Sequence, residues 1–443
     1  MMHRVFKSLP RATFALLAAV SILMFAGIAC ASGPLEKVLH TFTGQPDGAG
    51  PVSGLVADHA GNLFGTTKYG GTETCTGGEF AGCGTVFELT PPTVAGGAWT
   101  ETVIHSFGGL NDGIYPTAPL FIDGLGNLYG TTDAGGGKQN VGTVFEVSPP
   151  VTSGDAWTET VIFKFDTDYG PVRGYPPFGR VTVAAGNIYG TAQNGGRGSG
   201  LIYKLVAPSS PGGRWEDIIL YNFGSNSGDG AFPVGNLLFD RTGAIYGTTT
   251  GSPGETAGTI FQLTGERRSW TLRTIFTFGS NVDGISPHGL IFDNAGNLYG
   301  TTSSGGVGSE GGVVFEVTPP ATSGDPWTEA VLYTFVGGKD GATPDAGLAL
   351  DKAGNLYGTA FNGGLNNHST NNNGTVFELS PPAVPGGTWT ETTLHEFGGP
   401  TYNDGNSPTG GIVFSKGKLF GATANYTGAA PGLGGVFSVA FAP

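Results

Sequence analysis

A unit of about 58 residues repeats along nearly the whole chain, and this repetition limits the fold more than any other feature. Each unit holds four short segments that are rich in β-branched and aromatic residues and bounded by Gly, Pro, Asp and Asn, which is typical of β-strands. The first segment opens with a tryptophan in six copies: Trp99, Trp157, Trp215, Trp270, Trp327 and Trp389. A repeat of this period indicates stacked units that bury a core together.

Seven copies of a four-stranded unit predict an all-β, seven-bladed β-propeller with four antiparallel strands per blade. The order of the segments predicts that the ring closes. The chain opens with a lone Trp-type strand at residues 35–42, and it ends with the other three segments within residues 408–441. Blade 7 would therefore be formed from both ends of the chain. An open solenoid is the alternative, but it would need polar capping repeats.

Residues 1–31 predict a secretory signal peptide, because a basic start precedes an apolar run and the sequence Ala29-Cys30-Ala31. A membrane anchor and a lipid-modified Cys30 are the alternatives. Residues 32–443 would then form a single propeller domain, in which Cys75 and Cys83 are expected to pair as a disulfide.

The charge of the mature chain argues against nucleic acid and anionic membranes as partners. Of 20 basic residues, three lie within residues 1–31, which leaves 17 against 34 acidic residues, or a net charge of −17.

Six aspartates precede glycine at the same turn of the unit, before the predicted innermost strand: Asp47, Asp112, Asp229, Asp283, Asp340 and Asp404. They are the candidate ligand-binding residues, because they could ring one mouth of the central channel. A ring of carboxylates suits Ca²⁺, the one cofactor that the sequence suggests. The alternative role is structural, since an aspartate side chain accepts backbone N–H groups of its own turn. His40, His105 and His395 share a register with Phe or Tyr of other copies, which favours ring packing.

The sequence contains no catalytic motif such as Gly-x-Ser-x-Gly or His-Glu-x-x-His. Its most variable loops, including residues 366–373, are rich in Asn, Thr, Ser and Gly, which suits hydroxyl-rich ligands. We therefore expect an exported, monomeric scaffold or binding protein whose partner is a glycan or another envelope component. The alternative function is an extracellular hydrolase, lactonase or polysaccharide lyase with a cation at the channel mouth.

Three motifs follow one another in the unit: Asp-Gly-x-x-Pro, Asp-x-x-Gly-Asn-Leu-Tyr-Gly-Thr-Thr and Gly-Thr-Val-Phe-Glu-Leu-Thr-Pro-Pro. Together they resemble the GloVer (Gloeo/Verruco) tandem repeat. That repeat occurs in exported bacterial proteins of the "choice-of-anchor" type, and the resemblance covers residues 35–443. It implies a bacterial surface or secreted protein, and it implies no reaction. The last residues, 439–443, form no hydrophobic tail, so C-terminal anchoring is not expected.

Overall fold

The computed structural model describes residues 35–441 except 76–80, 109–111, 138–139, 153, 166–176, 178, 197, 211, 227, 252–256, 268, 280–281, 309–310, 323, 365–372, 385, 399–403 and 426–432. The predicted signal peptide and most of the Asn-rich loop at 366–373 lie outside the described residues. All regular structure in the described chain is β. The described residues include no helix with the length and apolar character needed to cross a membrane.

Seven four-stranded antiparallel sheets form the blades, and we number the strands of each blade from the innermost to the outermost. Blade 1 consists of Val56–Ala57, Leu63–Thr67, Thr85–Thr90 and Thr100–Ser106, and blade 2 of Phe121–Ile122, Leu128–Thr132, Thr143–Ser148 and Thr158–Lys164. Blade 3 consists of Thr182–Ala184, Asn187–Ala192, Leu201–Val206 and Glu216–Asn222, and blade 4 of Pro233–Phe239, Ile245–Thr249, Thr259–Glu266 and Ser269–Thr277.

Blade 5 consists of Ile285–Phe292, Leu298–Ser304, Val313–Thr318 and Thr328–Thr334, and blade 6 of Ala349–Leu350, Leu356–Ala360, Thr375–Ser380 and Thr390–Glu396. Blade 7 consists of Asn406–Ser415, Lys418–Asn425, Gly435–Ala440 and Leu35–Thr41. A short pair, Gly48–Ala49 with Tyr69–Gly70, lies beside blade 1.

The ring closes as the sequence predicts, because the first strand of the chain is the outermost strand of blade 7. Leu35–Thr41 runs antiparallel to Gly435–Ala440, and Val38 lies opposite Phe437. The predicted propeller and its closure are therefore confirmed.

An aromatic pair repeats at each of the seven blade interfaces. A buried Phe follows each outermost strand and meets an aromatic ring on the third strand of the next blade, edge to face. The pairs are Phe42–Phe87, Phe107–Phe145, Phe165–Tyr203, Phe223–Phe261, Phe278–Phe315, Phe335–Phe377 and Phe397–Phe437, with ring centroids 4.9–5.4 Å apart. Such pairs add to the stabilisation from burial, so the closing interface between blades 7 and 1 is built like the other six.

Glycines on or just before the innermost strands let neighbouring blades converge on the axis. A Cβ atom on Gly54 would lie 2.9 Å from the backbone nitrogen of Gly411, and one on Gly289 would lie 2.8 Å from the Cα of Gly347. A side chain at these positions would push the strands apart. The glycines thus fix the width of the space around the axis.

Candidate functional site

A cavity of about 430 Å³ lies on the axis, and residues from the inner segments of all seven blades line it. This volume falls within the range of roughly 300–1,000 Å³ that small-molecule sites span. Its wall combines glycine backbone with a few polar side chains: Ser53, Arg180, Gln193, Asn236, His288, Asp345 and Thr409.

Arg180, from blade 3, is the cationic residue of this wall. Its guanidinium carbon lies 5.5 Å from the centre of the Phe121 ring of blade 2, so the side chain packs over an aromatic face. Burial lowers the pKa of Arg180, but an arginine stays charged in proteins. Within the described residues, its buried Nε atom has no hydrogen-bond partner. A desolvated cation with an unfilled donor favours a ligand that carries a carboxylate or another anionic acceptor.

His288 and Asp345, from blades 5 and 6, are the other titratable groups of the cavity wall. Burial lowers the pKa of His288 to about 4 and raises the pKa of Asp345 to about 6. Solvent reaches the Asp345 side chain, yet the surrounding walls displace enough water to disfavour its charge. At neutral pH the cavity therefore holds a neutral imidazole, a carboxylate and a guanidinium.

The longer polar groups of the cavity are not distributed evenly around the ring. Arg180, Asn236, His288 and Asp345 come from the consecutive blades 3, 4, 5 and 6. Asn236 also donates a hydrogen bond to the Leu290 carbonyl oxygen at 3.4 Å. Blades 7, 1 and 2 present shorter or apolar residues there. The residues that line the axial cavity thus differ from one copy to the next.

The six predicted turn aspartates do not line this cavity. Each instead accepts a backbone N–H of its own turn, as Asp112 does from Gly108 at 2.9 Å and Asp340 from Val336 at 2.8 Å. Asp47, Asp229, Asp283 and Asp404 bond in the same way. These bonds close the turn between two blades. Ligand binding by these six residues stays a prediction.

A glutamate on the outermost strand of the following blade lies close to several of these aspartates. Burial, with the nearby aspartate, raises the pKa of Glu101, Glu159 and Glu329 to about 7. Glu36 shows the same rise beside Asp404. Glutamates at a shared position of the outermost strands were the sequence signal for these pairs, but the aspartate of each pair lies in the preceding copy.

Cys75 and Cys83 form the predicted disulfide. It closes a loop between the second and third strands of blade 1, at the edge of the core. A structural disulfide is typical of an oxidising compartment.

The fold and the axial cavity define a seven-bladed propeller built from tandem repeats. The profile of the Gloeobacter/Verrucomicrobia repeat matches residues 28–196 and 151–370. The chain therefore belongs to this repeat family, as its motifs indicate. No curated protein matches its sequence.

Solved structures that resemble this one share its fold at low sequence identity. PorZ, a surface component of the type-IX secretion system of Porphyromonas gingivalis, has a TM-score of 0.52 and 13% identity over 90% of this chain and 47% of its own. This chain thus spans about half the length of that protein.

Two enzymes are more distant. A gluconolactonase from Xanthomonas campestris has a TM-score of 0.36 and 14% identity over 68% of this chain and 78% of its own. A sialidase from Trypanosoma rangeli has a TM-score of 0.41 and 9% identity over 92% and 59%.

Proposed function

We propose that the chain is an exported, non-catalytic binding module whose axial cavity takes a sugar that carries a carboxylate. The observation that carries the proposal is the buried Arg180 guanidinium with its unfilled Nε donor in a cavity of about 430 Å³. The planar fork of arginine matches the two oxygens of a carboxylate. Export is supported by the disulfide and by the signal-like residues 1–31.

The remaining wall suits the hydroxyl groups of such a sugar. Asn236 can both donate and accept, the Thr409 hydroxyl can accept because it donates its hydrogen to the Pro51 carbonyl oxygen at 2.9 Å, and the Asp345 carboxylate accepts. Glycine residues line the wall between these side chains. The positive charge of Arg180 in blade 3 would favour an anionic sugar whose carboxylate lies at Arg180 and whose hydroxyls face the Asp345 carboxylate in blade 6.

The test is calorimetric titration of the chain without residues 1–31, using D-glucuronate and D-galacturonate against D-glucose and D-galactose. The acids should bind more tightly than the neutral sugars. Arg180→Met keeps an apolar stem over Phe121 and removes the charge, so it should weaken binding of the acids by about tenfold or more. Arg214→Met, at an exposed position outside the cavity, is the control and should bind as the wild type does. Equal affinity of Arg180→Met and wild type would refute the proposal, as would a lack of binding to both acids.

A second candidate function is a lactonase-type hydrolase, and one observation favours it. Asp345, with a pKa raised to about 6, lies near the range that general acid–base catalysis uses at neutral pH. Slow hydrolysis of aldonolactones that disappears in Asp345→Asn, while binding of D-glucuronate remains, would replace the non-catalytic proposal with this one. A wild-type chain without such activity leaves the binding module as the function.

A further inference from the structure

We propose that two blade interfaces, those between blades 7 and 1 and between blades 1 and 2, each bind a divalent transition-metal cation such as Zn²⁺. The ligands are His40, Asp47 and Glu101 at the first interface, and His105, Asp112 and Glu159 at the second. These sites are separate from the axial cavity and do not depend on the function proposed for it.

The side chains converge as metal ligands do. In each group, one nitrogen or oxygen atom from every residue lies within 4.8 Å of those of the other two. The Nε2 atom of His105 lies 3.4 Å from Oδ2 of Asp112, and His40 lies 3.4 Å from Asp47. Zn²⁺ with bonds of about 2.0–2.2 Å in tetrahedral geometry holds adjacent ligand atoms about 3.4 Å apart. A small rotation of the glutamate side chain completes the site.

Within the described part of the chain, each of the three residues at the second interface has one buried polar atom without a hydrogen-bond partner. Among the residues that the structure describes, His105 Nε2, Asp112 Oδ1 and Glu159 Oε1 are buried atoms without a hydrogen-bond partner. At the first interface, among the described residues, Glu101 Oε1 is also a buried atom without a hydrogen-bond partner. An unpartnered buried polar atom is costly, and three of them on one histidine and two carboxylates favour a cation held between these side chains.

A β-bulge explains how one strand supplies ligands to two sites. On the outermost strand of blade 1, the pairing with the third strand shifts between Val103 and His105, so Ile104 is an extra residue. Without the bulge, positions 101 and 105 would point to the same face of the sheet. The bulge turns His105 to the opposite face, so Glu101 faces blade 7 and His105 faces blade 2.

Other copies of the same position show what the structure needs without a metal. Tyr221 donates a hydrogen bond to Asp229 at 2.6 Å, and Tyr333 donates one to Asp340 at 3.1 Å. Phe276 occupies the position of these histidines in the copy that contains Asp283, and Asp283 is the aspartate near Glu329. Packing thus accepts Phe or Tyr here, and the histidines add a metal ligand that the fold itself does not require.

The experiment uses untagged protein without residues 1–31, loaded by dialysis against ZnCl₂, dialysed into metal-free buffer and analysed for zinc by atomic emission. The variants His40→Phe and His105→Phe copy a residue that other units hold at this position. Glu159→Gln keeps the histidine and removes one carboxylate. Glu329→Gln is the matched control, because its interface has a carboxylate pair and no histidine.

We expect about two equivalents of retained Zn²⁺ in the wild type and in Glu329→Gln. His105→Phe and Glu159→Gln should each retain one equivalent of Zn²⁺ fewer than the wild type. The double variant His40→Phe/His105→Phe should retain neither of the two equivalents. Added Zn²⁺ should also raise the thermal midpoint of the wild type and leave that of the double variant unchanged. A cooperative thermal transition of the double variant shows that it is folded. A wild type that retains no Zn²⁺, or a double histidine variant that retains as much as the wild type, would overturn the proposal.

Discussion

Closure of the ring makes a specific prediction about Phe42, the residue that follows the first strand. Phe42 is 1% exposed and its ring meets Phe87 of blade 1 at 5.0 Å. Phe223 makes the equivalent contact with Phe261 between blades 3 and 4, at 5.4 Å. Because the two environments match, Phe42→Ala and Phe223→Ala should each lower the free energy of unfolding by about 3–5 kcal/mol.

The assay is equilibrium unfolding in guanidinium chloride, followed by tryptophan fluorescence and circular dichroism, with the two variants measured beside the wild type. Similar losses in both variants are expected. If the first strand were a frayed end and not part of blade 7, Phe42→Ala would cost less than about 1 kcal/mol while Phe223→Ala kept its full effect. That difference would refute the reasoning from closure.

Three further predictions concern single positions. The Tyr203 hydroxyl is fully buried and, among described residues, has no hydrogen-bond partner, so Tyr203→Phe should raise the free energy of unfolding by about 1–2 kcal/mol; a loss in denaturant melts would contradict this. A Cβ atom on Gly65 would lie 2.6 Å from a buried ring, whereas one on Gly124 would meet nothing within 4 Å. Gly65→Ala should therefore lower the thermal midpoint and Gly124→Ala should not, and equal midpoints would refute the packing argument.

The third of these predictions concerns pH. The pKa of Glu329 is raised to about 7 by burial and by Asp283, so the folded state binds this proton more tightly than the unfolded state does. Its contribution to stability is complete below about pH 4.5 and is lost as the pH rises through about 7. Glu329→Gln should flatten this part of the stability profile in denaturant melts between pH 4.5 and 8, and an unchanged slope would count against the burial of this carboxyl.

The fold could be predicted from the sequence because the determinants recur in every copy. Glycine turns, short strands rich in β-branched and aromatic residues, and the fixed order of segments each occur seven times, so chance variation in one copy does not hide the pattern. The tryptophans illustrate this: Trp157 packs on Phe64 and Trp99 on Phe420, each in the preceding blade. A packing role at the blade interface is the one that the repeated position predicts.

The axial site could not be predicted in the same way, since its residues are those that differ between copies. The position that holds Arg180 in blade 3 holds Pro119 in blade 2 and Gly54 in blade 1, and nothing in the repeat marks this position as facing the axis. The turn aspartates drew attention because they recur, but recurrence here reflects the turn that each of them closes. In this propeller, shared residues build the frame, and the residues that differ between copies line the axial cavity.

The most direct test of the account is a crystal structure of the protein soaked with D-glucuronate. The account predicts the ligand carboxylate in the axial cavity, about 2.7–3.2 Å from the Arg180 guanidinium, with sugar hydroxyls on Asn236 and Asp345. A saturated crystal that holds only water on the axis, with the sugar elsewhere on the surface, would contradict it.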